Sequence, residues 1–183
     1  MTQATGRGRT PQTDMDATEV VRLLGFLADG GVGTWLMGGW AIDALIGRRR
    51  RPHDDLDLLV RDVDLPRAAE VLATAGYHGD LGMDGSSYLV DGAGRQVDIH
   101  VIRFRGDGVA VYRMEDGSPW LYDPGALDGV GTVLGREAPC LTPEMMMIEH
   151  ATGYALDAVH RGDVAALAEA FGLDVPLTGQ SSG

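Results

Sequence analysis

The sequence predicts an α/β (α+β) fold, and three observations carry that expectation. Between residues 15 and 76, apolar runs of helical and of strand length alternate. From Tyr77 to Arg113 short apolar runs are separated by Gly and Asp, the texture of a strand meander. After Thr142 the apolar residues return to helical spacing in a short C-terminal helical segment.

Asp16 and Thr18 are the candidate caps of a first helix, in which Val20, Val21, Leu23, Leu24 and Leu27 form an apolar stripe ending near Asp29-Gly30-Gly31. A strand over Val32 to Met37 leads to Gly38 and Gly39, and an amphipathic run then continues to Gly47. After the Arg48 to Arg51 cluster, Asp55-Leu56-Asp57 runs into Leu58, Leu59 and Val60, a short apolar run with a β-branched end that reads as a strand. Asp64-Leu65-Pro66 starts another helix, with Ala69, Val71, Leu72 and Ala75 available for packing, closing at Gly76. Strands are expected over Ser87 to Val90, Arg95 to Phe104 and Val109 to Tyr112, with turns at residues 91–94 and 106–108. The segment holding Trp120, Tyr122 and Asp123 reads as irregular, either walling a cleft or plugging the sheet edge. A hairpin turning at Gly135 follows, and Thr142 then caps a helix with Pro143 in its first turn. Met145 to Met147 and the later V-A-A-L-A-E-A-F-G-L read as core packing. The chain thus divides into a disordered tail (1–14), a core (15–140), a C-terminal helical segment of the same domain (141–175) and a flexible tail (176–183).

Residues two apart on a strand point the same way, so the carboxylates of Asp55 and Asp57 lie side by side. Such a pair repels itself unless a cation intervenes, and Mg²⁺ is the usual one where a polyphosphate supplies further oxygens. Gly38 and Gly39 stand between a strand and a helix, where free N–H groups and the positive end of the helix dipole suit phosphate. Glycine pair and acidic pair suit one ligand, a metal-bound nucleoside triphosphate. In the strand Q-V-D-I-H-V-I, Val97, Ile99 and Val101 take one face, and Gln96, Asp98 and His100 the other.

The run G-G-W-A-I-D-A-L-I-G followed by R-P-H-D-D-L-D resembles the antibiotic nucleotidyltransferases of the polymerase-β-like superfamily, and more narrowly the lincosamide nucleotidyltransferases and aminoglycoside 2''-adenylyltransferases. Cys140-Leu141-Thr142, His150 with Gly153-Tyr154, and Asp163 extend the resemblance. It departs from the family in the spacing from His150 to Gly153 and in Gly162, where many relatives carry His, which favours a packing or surface role for His150 and His160. The resemblance implies a minimal nucleotidyltransferase fold, a twisted mixed β-sheet flanked by helices. It implies Mg²⁺ and ATP, or another nucleoside triphosphate, and transfer of AMP to a hydroxyl of a small cationic antibiotic, lincosamide or aminoglycoside, conferring resistance. Asp55, Asp57 and Asp98 are then the metal and catalytic residues, converging within metal-bridging distance, with Asp98 accepting the hydroxyl proton. Gly38, Gly39, Trp40, Arg51 and His53 form the nucleotide side, with His53 orienting a carboxylate or the turn. Two other readings share the motif: a nucleotidyltransferase of the toxin or antitoxin type with a protein or RNA acceptor, and a non-catalytic nucleotide-binding regulator.

Composition narrows the field. A net charge of −12 disfavours nucleic-acid partners, which demand clustered basic side chains, and favours cationic small molecules. All 15 basic residues are Arg, so neither a Walker A lysine nor a Schiff-base lysine exists in this chain. Cys140 is the single cysteine, which fits a reducing compartment. No run is long enough to span a bilayer and the N-terminal stretch lacks a signal-peptide apolar core, so a cytoplasmic protein without membrane partners is expected. The oligomeric state is not legible.

Overall fold

The computed structural model describes residues 13–153 and 157–176. Its elements run α1 (Ala17–Asp29), β1 (Thr34–Leu36), α2 (Gly38–Ile46), β2 (Asp55–Arg61), α3 (Leu65–Thr74), β3 (Ser86–Val90), β4 (Gln96–Phe104), β5 (Ala110–Arg113), β6 (Pro119–Tyr122), β7 (Gly129–Val133), β8 (Arg136–Cys140), α4 (Pro143–Ile148) and α5 (Ala158–Phe171). The strands form one mixed sheet in the order β6-β5-β4-β2-β1-β8-β7. β1 with β8 and β2 with β4 are parallel, and the remaining pairs antiparallel. The long strand β4 holds β2 along one edge, while β3 and then β5 share the other.

Local chemistry explains most boundaries. The Asp16 side chain accepts the Glu19 amide at 2.9 Å and starts α1, whose Val20, Leu23 and Leu27 are buried. β1 is shorter than the expected Val32 to Met37, because the Val32 amide is spent on the Leu27 carbonyl closing α1 and Met37 is already the N-cap of α2. A 3₁₀ turn, Asp62–Asp64, precedes α3. Thr142 caps α4, its hydroxyl accepting from the Met145 amide. Met145, Met146 and Met147 are all buried.

Two expectations are corrected. The Trp120 segment is not irregular: Pro119–Tyr122 forms the edge strand β6, with Trp120 opposite Tyr112 and Tyr122 opposite Ala110. Proline is tolerated there because an edge strand leaves one row of amides unpaired. Nor is α2 amphipathic: Trp40, Ala41, Ile42, Asp43 and Ala44 are all buried, because the helix packs against β2, β7, α4 and α5 at once. Asp14, assigned by sequence to the N-terminal tail, pairs with Arg49 and accepts the His53 amide. The rest of that tail through residue 12, the C-terminal tail from residue 177 and the Tyr154 match lie outside the described residues.

Candidate active site

The parallel pairing of β2 with β4 sets Asp57 directly beside Asp98, Asp55 beside Gln96 and Leu59 beside His100. Register partners share a face, so Asp55, Asp57 and Asp98 stand on one side of the sheet. Asp98 is only 7 % exposed. Burial pushes its carboxyl up to about 8, and the charges of Asp57 and Asp55 push the same way. Among the described residues, however, no three His, Cys, Asp or Glu side chains are disposed as a ready-made metal cage. The carboxylates turn to separate neighbours: Gln96 Nε2 donates to Asp98 Oδ1 at 2.6 Å, and His100 Nε2 lies 3.3 Å from Asp57 Oδ1.

The glycine pair lets other groups reach the start of α2. A Cβ on Gly38, whose φ is +61°, would lie 2.2 Å from Asp57 Oδ2. One on Gly39 would lie 2.5 Å from both Arg51 Nη2 and His53 Nδ1. The Asp57 carboxylate thus sits against the first turn of α2, whose N-cap, Met37, supplies no side-chain cap of its own. Gly38→Ala is expected to cost about 1–2 kcal/mol through its left-handed backbone and to displace Asp57, so activity should fall further than stability. Denaturant melts and pyrophosphate release measured on the same preparations check this; an active Gly38→Ala protein contradicts it.

Behind the glycines lies a largely buried ionic network. His53 is buried with Nε2 2.6 Å from Asp43 Oδ2, and so orients a carboxylate. Arg50 bridges Asp43 and Asp163 at 2.8 and 2.6 Å, and Arg51 Nη2 donates to Asp163 Oδ2 at 3.0 Å. Asp163, on α5, therefore holds the guanidinium that abuts Gly39. Trp40 is 3 % exposed and its ring centroid lies 4.7 Å from that of His53, so it packs over the imidazole and does not wall an open pocket. His150 is buried with Nδ1 3.7 Å from Asp163 Oδ2, and burial lowers its pKa to about 4. Cys140 is buried and its thiol pushed up to about 11, the behaviour of a packing residue.

A cavity of about 380 Å³ opens beside the acidic face. Met37 and His100 join it to that face, and Ser86, Tyr112, Trp120 and Glu149 line it. Ser86 Oγ lies 3.1 Å from both His100 Nδ1 and Tyr112 Oη, so a hydrogen-bonded chain runs from the cavity wall to Asp57. A larger groove, about 760 Å³, lies between α1 and the β7–β8 hairpin and shares no lining residue with this site. Sequence reading missed Ser86, Asp43 and Glu149. An acid inside the apolar run of α2 signalled Asp43, since a buried carboxylate requires partners. Glu149, at the end of the Met run, carried the same signal.

These pKa shifts set a pH dependence. Asp98 and Glu149 are both raised to about 8, chiefly by burial, so their contribution is lost as pH rises from the unfolded carboxylate range toward 8. His150 acts oppositely: its contribution is full above about 6.5 and lost as pH falls toward about 4. Two acids outweigh one imidazole, so the chelator-treated protein should melt at a lower temperature at pH 8 than at pH 6. Melting scans across that range check this, and a melting temperature rising toward pH 8 contradicts it.

A mixed sheet carrying an acidic pair on β2, a third acid on the adjacent β4 and a glycine-led helix beside them defines the nucleotidyltransferase class. The chain belongs to the aminoglycoside-2''-adenylyltransferase family, whose sequence model matches residues 19–167. A lincosamide resistance protein of Staphylococcus haemolyticus is 25% identical over 131 residues, covering 71% of this chain and 80% of that one. A 2''-aminoglycoside nucleotidyltransferase of Escherichia coli is 47% identical over 47 residues, 24% of this chain and 27% of the other. Among solved structures, the lincomycin-bound lincosamide antibiotic adenylyltransferase LnuA superposes with TM-score 0.73 at 24% identity, covering 85% of this chain and 98% of that one. ANT(2'')-Ia in complex with adenylyl-2''-tobramycin gives TM-score 0.67 at 19% identity, covering 84% and 87%. Both likenesses bear on the fold. Among the described residues no helix is long and apolar enough to cross a membrane.

Proposed function

We propose that this protein transfers a nucleoside monophosphate, AMP from ATP, to a hydroxyl of a cationic antibiotic of the lincosamide or aminoglycoside class, releasing pyrophosphate and conferring resistance. The observation that carries the reading is the register of Asp57 beside Asp98, on one face with Asp55 and next to both the glycine-led helix and the cavity. Family membership and the printed substrates of the relatives support it.

The donor set fits a hard divalent cation: three carboxylates share one face of the sheet, and burial, reinforced by the charges of Asp57 and Asp55, pushes Asp98 up to about 8 in the absence of a counter-charge. Asp55, Asp57 and Asp98 are the residues that would hold Mg²⁺, with triphosphate oxygens completing its shell. Bound there, the ion would neutralise phosphate charge and polarise the phosphorus under attack. The first-turn amides of α2 face the phosphates, and Arg51, held by Asp163, offsets charge on the leaving pyrophosphate. Asp98, in its ionised form, takes the proton of the attacking hydroxyl, a task open to a carboxylate set beside the reacting centre. His100 and Ser86 steady Asp57 from the cavity side.

The test is pyrophosphate release with lincomycin, kanamycin and no acceptor, each with all four nucleoside triphosphates. Acceptor-dependent release is expected with ATP. Release independent of every acceptor would favour hydrolysis, and none with any pairing would remove the proposal.

A further inference from the structure

The cavity beside the acidic face contains a buried acid that the reaction described above does not use. Glu149 is 4 % exposed, opens the π-turn Glu149–Gly153 after α4 and lines the cavity. Tyr122 Oη donates to its Oε1 at 2.8 Å, while Oε2 is buried with no hydrogen-bond partner among the described residues. A buried carboxylate oxygen without a donor is costly and rare in a folded protein. π-turns of this kind recur at functional sites. Trp120, also in the lining, has its Nε1 buried and without an acceptor among the described residues. The lining thus offers an unused acceptor and an unused donor, and it includes His100, which reaches Asp57.

We propose that Glu149 is the specificity residue of the acceptor site, pairing with one ammonium group, so that the cavity takes a hydroxylated amine bearing a single cation beside an apolar group. This rests on the acceptor reading given above and narrows it toward the lincosamide type. The other acids lining the cavity do not make a polycation site. Glu115 and Asp116 are exposed and already engaged: Tyr88 Oη donates to Glu115 at 3.5 Å, and the Ser118 amide and hydroxyl donate to Asp116 at 2.8 and 2.6 Å. Solvated carboxylates of that kind contribute little to an ion pair. Met37, Met114 and the Trp120 ring supply apolar wall instead. Burial holds Glu149 at about 8, so a bound ammonium both draws the proton off and satisfies the buried oxygen that lacks a partner.

The test is calorimetric titration of the full-length chain, wild type and Glu149→Gln, with three probes: a lincosamide retaining its basic amine, its neutral N-acyl counterpart, and kanamycin. Wild type is expected to prefer the amine over the amide by on the order of 100-fold, the range seen when one member of a buried charge pair is removed. Glu149→Gln should collapse that preference to within about threefold, with the amide bound as before and kanamycin weaker than the amine-bearing lincosamide. An amine-to-amide ratio near one in wild type overturns the proposal whether or not the variant folds. So does a ratio unchanged in Glu149→Gln, tighter binding of kanamycin, or no binding of any probe. Binding needs no chemistry, so the two readings separate: a preserved ratio without pyrophosphate release sinks the transfer proposal alone, and release with a flat ratio sinks this one alone.

Discussion

Replacing Asp57 by Asn is expected to abolish nucleotidyl transfer, lowering kcat/KM by on the order of 10³-fold or more, since it removes a charge placed where phosphate charge must be balanced. Asp57 is the hub of the site: register partner of Asp98, neighbour of His100 and the reason position 38 has no Cβ. The same substitution relieves repulsion against Asp98. The chelator-treated variant should therefore melt at the wild-type temperature or above it, trading function for stability in the way active-site charges often do. Turnover and thermal melts on one preparation decide the matter. An Asp57→Asn protein that unfolds would make the residue structural, and one that turns over normally would remove it from the chemistry.

The second large effect is expected at Asp163. Its carboxylate is 1 % exposed and receives Arg50 and Arg51 from a segment more than a hundred positions away in sequence. Burial alone would raise its pKa, but the hydrogen bonds from Arg51 and Arg50 outweigh it and hold the carboxyl below the usual range. That contribution is present above the unfolded carboxylate range and lost as pH falls through the folded value. Asp163→Ala leaves two guanidinium groups without their buried partner. Discounting for Arg51, which is partly exposed, the cost should be about 2–4 kcal/mol. In a chain of this size that lowers Tm by roughly 5–10 °C. The freed Arg51 guanidinium should also raise KM for the triphosphate more than it lowers kcat. A variant with wild-type stability and wild-type KM would show that α5 is not tied to the nucleotide side of the site.

Legibility in the sequence followed locality. The caps at Asp16 and Thr142, the turn at Gly135 and the strand alternation of β4 are set by neighbouring residues, and each lies where the sequence placed it. The face shared by Asp55, Asp57 and Asp98 was also accessible, because side-chain alternation fixes two of the three and the family pattern supplies the third. What escaped was either long-range or disguised. β6 was hidden by Pro119 and the adjoining Pro124-Gly125, which read as loop although an edge strand accepts proline. The grip of Asp163 on Arg50 and Arg51 joins distant parts of the chain, and nothing in the local pattern separates engaged arginines from solvated ones. Trp40 carried a family position but not its burial, which depends on several distant elements meeting around α2. Glu149 sits at the end of an apolar Met run, where core packing dominates the pattern and conceals a side chain that lines the cavity.

The central claim is that the acidic face of β2 and β4 moves a nucleoside monophosphate onto an acceptor, and the mass of the acceptor tests it most directly. Wild-type protein, ATP, Mg²⁺ and lincomycin or kanamycin should yield an acceptor heavier by one AMP, with a stoichiometric release of pyrophosphate. Chelating the metal, or using Asp57→Asn, should leave the acceptor mass unchanged. An acceptor that gains no mass with either antibiotic, or gains it equally with chelator or with Asp57→Asn, would contradict the account.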